Sequence, residues 1–220
     1  MEKTKQIFPG IWKSGRQLFT RSLVPGQKAF AKSITKKDKI EYREWDPNKS
    51  KAAAGIMKEI KNFPIKTGTK ILYLGIASGS TASFLSDIIG NNGVIYGIEI
   101  SERCVRDLNL VAEKRGNIVP ILADARKPEE YSWIEPVDIV FQDVATNDQS
   151  EILIRNCQRF MKKQGTAMIA IKSRSIDVTK QPKEIYKQEI AKLEKVFKIL
   201  DKVELDPYEK DHMFLVLKFI

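Results

Sequence analysis

Apolar positions along the 220-residue chain fall into two periods that alternate in a regular order. Ile71–Leu74, Val94–Ile100, Ile118–Leu122, Val137–Gln142 and Thr166–Ile171 are short, nearly continuous apolar runs bounded by Gly, Asn or Asp. They predict strands of a largely parallel sheet, covered on both faces. Between them the spacing changes to that of helices. Phe84, Leu85, Ile88 and Ile89 follow the first run, and Val105, Leu108 and Ala112 lie in a predicted helix from the Ser101 cap to about Arg115. A helical turn near Glu129–Trp133, a helix over about Asp148–Met161 that stops before Gly165, and an amphipathic helix over Pro182–Lys198 continue the alternation. A helix over Lys51–Asn62, capped by Asn48 or Ser50, precedes the first of these strands. The last two runs, Ile199–Leu205 and Met213–Phe219, are joined by a connection so short that they must pair antiparallel.

The front of the chain has a different rhythm. Pro9-Gly10, Ser14-Gly15 and Pro25-Gly26 punctuate short runs at Ile11–Lys13, Gln17–Thr20, Lys28–Ala31 and Ile40–Trp45. This predicts a β module of two hairpins over residues 1–48, too small to stand alone, packed on an α/β domain over 49–220. Charge divides at nearly the same place. Residues 1–51 carry 13 Lys/Arg against 5 Asp/Glu, and residues 52–220 carry 25 against 23. A basic excess confined to the front quarter points to a polyanionic partner, nucleic acid before membrane, because no amphipathic basic helix accompanies it. A solvated lysine-rich surface is the alternative, and the salt dependence of RNA binding separates the two. No membrane span is expected, and the first residues lack the apolar core of a signal peptide, so a cytoplasmic location is expected. Cys104 and Cys157 have no CxxC partner and read as small buried hydrophobes, while the single histidine rules out a multi-histidine metal site; no metal is expected.

The candidate chemistry sits where predicted strands end. After Leu74 the chain enters a loop of small residues, Gly75, Ile76, Ala77, Ser78 and Gly79, before the next helix. Small residues let a ligand approach the backbone, but this loop is neither the dinucleotide fingerprint GxGxxG nor a P-loop. Glu99 ends the second strand, 24 residues after Gly75, placed to accept hydrogen bonds from ribose hydroxyls. Asp124 ends the third, placed either to accept from an adenine amino group or to form a turn with Ala125-Arg126. Together they point to an adenosine-containing ligand without a demand for phosphate binding, which S-adenosylmethionine satisfies better than NAD or ATP. Five strand–helix units followed by an antiparallel hairpin resemble the class I S-adenosylmethionine-dependent methyltransferase fold. That fold is Rossmann-like, with a seven-stranded mixed sheet. Asp143 and Lys172 end neighbouring central strands. A lysine acts as a base only if desolvation or a neighbouring cation, for which Lys51 is a candidate, lowers its pKa, and Asp143 would pull the other way. A lone histidine such as His212 is more often structural than catalytic, and no GxSxG elbow supports a hydrolase triad.

These residues lie in a series of longer motifs: FPG (Phe8–Gly10), LVPGQ (Leu23–Gln27), YREWDPNKSK (Tyr42–Lys51), LYLGIASGST (Leu72–Thr81), DARKP (Asp124–Pro128), Asp143–Ala145 with Asp148-Gln149, IKSRSID (Ile171–Asp177) and PYEKDH (Pro207–His212). In this order they closely resemble the fibrillarin family, in its short archaeal form without a Gly/Arg-rich tail. The resemblance implies RNA-guided ribose 2′-O-methylation of rRNA, and also tRNA, using S-adenosylmethionine. It assigns a catalytic tetrad to Lys51, Asp143, Lys172 and His212. It assigns cofactor contacts to Ser80, Thr81, Glu99, Ile100, Asp124, Ala125, Asp143, Val144, Ala145 and Thr146, which the small-residue loop with Gly75, Ala77 and Gly79 joins as the part expected beside the methionine portion. Ser80 stands where the family usually has Thr, and Thr146-Asn147 replaces the usual Gln-Pro. The implied setting is a box C/D ribonucleoprotein with a Nop-domain scaffold protein, a kink-turn-binding protein of ribosomal type and a guide RNA. A non-catalytic assembly subunit and a stand-alone RNA methyltransferase are the alternatives.

Overall fold

The computed structural model describes residues 4–220. Its first sheet contains β1 (Lys5–Phe8), β2 (Ile11–Ser14), β3 (Gln17–Arg21), β4 (Ile34–Lys37) and β5 (Ile40–Trp45), all antiparallel, in the order β1-β2-β3-β5-β4. The expectation of two hairpins is corrected in two places. Lys28–Ala31 is a turn, with Ala29 at φ 43°, where a short run between turn signals predicts a strand. The strands Lys5–Phe8 and Ile34–Lys37 give little apolar signal, since five of their eight side chains are polar, and their stability comes from pairing. Asp38 and Lys39 close the β4–β5 hairpin with φ of 50° and 65°, the paired positive values of a two-residue turn.

A 3₁₀ turn at Pro47–Lys49 leads to α1 (Lys51–Met57), whose N-terminus is capped by the Ser50 hydroxyl on the Ala53 N–H. The helix stops short of the predicted Asn62. Glu59 takes φ 65°, and Ile60, Phe63 and Ile65 then run as extended chain into the core. Burial of those three side chains outweighs another turn of helix.

The second sheet alternates with helices: β6 (Lys70–Leu74), α2 (Ser80–Ile89), β7 (Val94–Glu99), α3 (Glu102–Arg115), β8 (Ile118–Leu122), β9 (Val137–Gln142), α4 (Gln149–Phe160) and β10 (Met161–Lys172). The short α5 (Ser173–Ile176) occupies a stretch expected to be loop, and α6 (Pro182–Leu193), β11 (Phe197–Glu204) and β12 (His212–Phe219) complete the chain. α6 ends before the predicted Lys198 because Phe197, 1% exposed, already belongs to β11 opposite Phe219. The strand order is β11-β12-β10-β9-β6-β7-β8. β6 to β10 are parallel, and β12 is antiparallel to both neighbours. From β6 the chain first builds outward through β7 and β8, then returns to place β9 on the other side. The carboxyl ends of β6 and β9 therefore flank a topological switch point, the place where a doubly wound sheet opens a crevice.

One junction fastens the two sheets together. Trp45 stacks on Phe84 of α2, centroids 5.1 Å apart, and the Arg43 guanidinium lies 4.4 Å over the same ring. Arg43 Nη1 donates to Ser83 O (3.0 Å) and Asp87 Oδ2 (2.6 Å), while Arg115 Nη1 reaches Asp87 Oδ1 (2.8 Å). Thr20 Oγ1 and the Leu23 N–H also donate to Asp87. Burial pulls the Arg43 guanidinium below its usual pKa, and the Asp87 charge works against that pull. Two buried guanidiniums on one carboxylate tie residues of the first sheet to α2 and α3.

Candidate active site

The loop after β6 makes the crevice narrow. Gly75 has φ 74°, and a Cβ there would lie 3.1 Å from Asp143 O and Val144 N, so only glycine lets the ends of β6 and β9 approach so closely. Ala77 also takes a left-handed conformation, φ 51°, and its N–H donates to Glu99 Oε2 at 2.8 Å. The Ser101 N–H holds the other oxygen, Glu99 Oε1, at 2.9 Å. Two backbone donors thus aim the carboxylate before any ligand arrives. Asp124 adopts the turn-forming role, with Oδ1 accepting from the Arg126 N–H at 2.9 Å.

These residues line a cavity of about 300 Å³. Of the sequence-predicted contacts, Gly75, Ala77, Glu99, Ile100, Asp124, Ala125, Asp143, Val144, Ala145 and Thr146 are on its wall. Gly79, Ser80 and Thr81 are not: Gly79 caps α2, and the Thr81 hydroxyl donates to Ser50 Oγ at 2.9 Å. Ile98, Ala123, Arg126 and Ile152 complete the wall and were not anticipated. Ile100 stands 65% exposed at the rim, an apolar side chain that a bound ring system would cover.

The two loops flanking the cavity are latched together. Arg126 donates from Nε and Nη2 to Asp148 Oδ2 and Oδ1, at 2.8 and 2.9 Å, a bidentate pair joining the β8 loop to the start of α4. These hydrogen bonds hold the Asp148 carboxyl below the usual carboxylate range. Asn156 of α4 adds a bond to Ala125 O at 2.9 Å. Arg126 is thereby engaged on its own chain, and among the described residues lining the cavity no other cation is present to meet a phosphate.

Asp143 belongs both to this cavity and to the charge cluster beside it. Lys172 Nζ lies 2.8 Å from Asp143 Oδ1 and donates to Asp143 O at 2.7 Å. Lys51 Nζ lies 3.9 Å from Asp143 Oδ2 and 3.3 Å from Glu209 Oε1. Two ammonium groups are thus balanced by two carboxylates, one of which, Glu209, was not singled out in the sequence. Tyr73 lies buried beneath; burial first, and then the Asp143 charge, push its phenol well above the usual pKa. It is a neutral donor at any physiological pH.

His212 comes alongside through the sheet. It is paired directly opposite Lys172 in the β10–β12 ladder, which brings the last member of the expected tetrad next to the third. Its Nδ1 sits 2.6 Å from Lys210 O. A carbonyl only accepts, so Nδ1 carries the hydrogen, and in the neutral ring Nε2 is the free acceptor. Among the described residues no group of three or more His, Cys, Asp or Glu is placed to hold a metal.

Gln149 is the positioning residue that sequence reasoning missed. Fully buried, it receives the Lys172 N–H on Oε1 (2.9 Å) and donates from Nε2 to Thr146 O (2.7 Å) and Lys172 O (3.2 Å). One amide therefore fixes the end of β10 relative to the 143–146 loop. The Asp148-Gln149 pair stood inside a motif, but its role needs partners 23 residues away.

Comparison with known proteins agrees with this geometry along the whole chain. The family described as Fibrillarin matches residues 1–220. A fibrillarin-like rRNA/tRNA 2′-O-methyltransferase of Thermococcus sibiricus is 49% identical, over 99% of each chain. Among solved structures, Aeropyrum pernix fibrillarin in complex with natively bound S-adenosyl-L-methionine superposes with a TM-score of 0.87, at 45% identity over 94% of each chain. The structure of a fibrillarin/Nop5p complex matches with a TM-score of 0.90, at 36% identity, covering 98% of this chain and 100% of that one. The terminal hairpin, the strand-end carboxylates and full-length similarity lead to one assignment: this chain belongs to the fibrillarin family.

Proposed function

We propose that this chain is the S-adenosylmethionine-dependent catalytic subunit of an RNA-guided ribose 2′-O-methyltransferase acting on rRNA and tRNA. One observation supports it above the others: Asp143 lines the cavity and also pairs with Lys172. A donor held in the cavity and a hydroxyl held by the charge cluster would meet at one residue. The cavity suits S-adenosylmethionine, with apolar walls at Ile98, Ile100 and Ile152, two carboxylates for hydroxyl and amino groups, and no unpaired cation among the described lining residues. Glu99, already oriented by two N–H groups, takes the ribose hydroxyls; Asp124 and Ala125 face the adenine; Gly75, Ala77 and the Asp143–Thr146 strand-end loop follow the methionine portion.

When bound, S-adenosylmethionine supplies an electrophilic methyl group on a sulfonium, which leaves as a neutral thioether as the new oxygen–carbon bond forms. The residues of the chain handle the other partner. The Lys172 ammonium and Asp143 hold the 2′-hydroxyl, and the Asp143 carboxylate takes its proton as the oxygen attacks, while Lys51 and His212 shape the surrounding field. Charge disappears in this transfer, so a site that excludes water favours it. Proximity contributes much of the remaining acceleration. The resemblance also supplies the setting: a Nop-domain scaffold of the Nop5p type, a kink-turn-binding protein and a box C/D guide RNA, with target choice left to base pairing.

The decisive experiment reconstitutes the complex with a guide and a matched target RNA and measures methylation by the wild type and Lys172→Ala. Wild-type transfer that requires the guide, and loss of at least ~100-fold in the variant with S-adenosylmethionine binding retained, is the expected result. Guide-independent transfer by the isolated chain would point to a stand-alone enzyme; no transfer in the complete assembly would leave an assembly subunit.

A further inference from the structure

The outer face of the five-stranded sheet takes no part in the chemistry above. Directly opposed residues of antiparallel strands share a face, so the register tells which side each side chain takes. Ile11, Leu18 and Trp45 enter the core, and Arg43 reaches α2. Trp12, Arg21 and Tyr42 therefore project the other way. Arg21 is directly opposite Tyr42, Tyr42 is opposite Thr35, and Lys37 follows on the same side as Thr35. Trp12 and Tyr42 meet edge to face, with centroids 5.3 Å apart and planes at 81°, and both stay partly exposed.

Charge on this face is uncompensated. Arg21 and Lys37 are exposed and form no ion pair among the described residues. The face does carry a carboxylate, Glu44, but it is buried and accepts from Gln17 Nε2 (3.1 Å) and Ser33 Oγ (2.5 Å). More broadly, among the lysines and arginines of residues 4–51 only Arg43 and Lys51 form ion pairs, both with carboxylates outside the sheet.

We propose that this face docks single-stranded RNA, its bases stacking on the Trp12–Tyr42 pair and its phosphates meeting Arg21 and Lys37. The identity of the polyanion rests on the RNA-methyltransferase reading above; the surface itself does not. Aromatic rings beside unpaired cations suit a single strand, because every base has a stacking face and every phosphate a charge, whatever the sequence. A duplex, with its bases stacked inward, would use the cations and not the rings.

Fluorescence anisotropy of the full chain with a labelled 12-nucleotide single-stranded RNA, across a salt series and beside a duplex of equal length, tests this. Arg21→Glu/Lys37→Glu should weaken single-strand binding about tenfold or more and lower the salt slope by about 1.4, two phosphate contacts at ~0.7 each. Trp12→Leu, which keeps an apolar side chain, should weaken it several-fold without changing the slope. The inference is overturned if both variants bind RNA within twofold of the wild type, or if they lose only the scaffold protein. S-adenosylmethionine binding, measured on the same samples, must be unchanged in the variants. A wild type that binds no S-adenosylmethionine would sink the methyltransferase reading and leave the RNA titration still interpretable.

Discussion

The two sheets treat charge in opposite ways. Around the seven-stranded sheet, cations meet carboxylates: Lys70 with Glu135, Lys162 with Asp138, Arg126 with Asp148, Lys172 with Asp143 and Lys192 with both Glu151 and Glu189. In the five-stranded sheet the carboxylates serve neutral donors instead. Glu41 accepts the Gly26 N–H, Glu44 accepts from Ser33 and Gln17, and Asp46 caps the 3₁₀ turn. The basic excess of the chain is therefore what remains where acids have been given local structural work. Where charges are paired, they position a site; where they are unpaired, they are available to an outside partner.

The largest expected effect tests the paired side. Lys172→Ala should lower the methylation rate by ~10²–10⁴-fold, the range for a positioned proton-transfer group, read by single-turnover transfer in the reconstituted complex. A loss below fivefold would show that the Asp143 pair does not position the nucleophile. Next comes the junction between the sheets. Asp87→Asn leaves Arg43 and Arg115 buried without their counter-charge and should cost about 3–5 kcal/mol of stability. Chemical denaturation measures this, and an unchanged midpoint would mean that the two sheets do not depend on that carboxylate.

Smaller effects refine the picture at the cavity. Arg126→Ala should weaken S-adenosylmethionine binding several-fold, by calorimetry, with less effect on the transfer rate at saturation. The paired replacement Arg126→Asp/Asp148→Arg should recover part of that loss, which a simple packing defect would not allow. The smallest effect is acid sensitivity of the same latch. Arg126 holds Asp148 below its ordinary carboxylate pKa. The stabilisation from this pair is therefore present above the unfolded value of ~3.9 and is lost as pH falls through the folded value. A carboxyl NMR titration should find Asp148 protonating below the ordinary aspartate range, and Arg126→Ala should move it back toward that range.

Much of this molecule was legible in its sequence because the signals were local. Period and punctuation placed the five parallel strands and the terminal hairpin, and the strand ends then supplied Glu99, Asp124, Asp143 and Lys172. Long-range effects were hidden. Lys28–Ala31 reads as a strand until Ala29 turns back, and α1 reads longer than it is until Ile60 and Phe63 are drawn into a core made by residues far along the chain. Within the site, Gln149, Glu209 and Asp148 look like ordinary surface polar residues. Their importance depends on what lies across the crevice, and residue type alone carries no trace of it.

The Asp87 junction bears on how the chain is made. Arg43 finds its carboxylate 44 positions downstream, and Trp45 finds its stacking partner at Phe84. As the polypeptide leaves the ribosome, the first sheet has no neutralising group for its buried guanidinium until α2 has emerged. The leading unit commonly folds first, but here the amino-terminal strands cannot complete their junction until the helix that follows the first central strand has emerged.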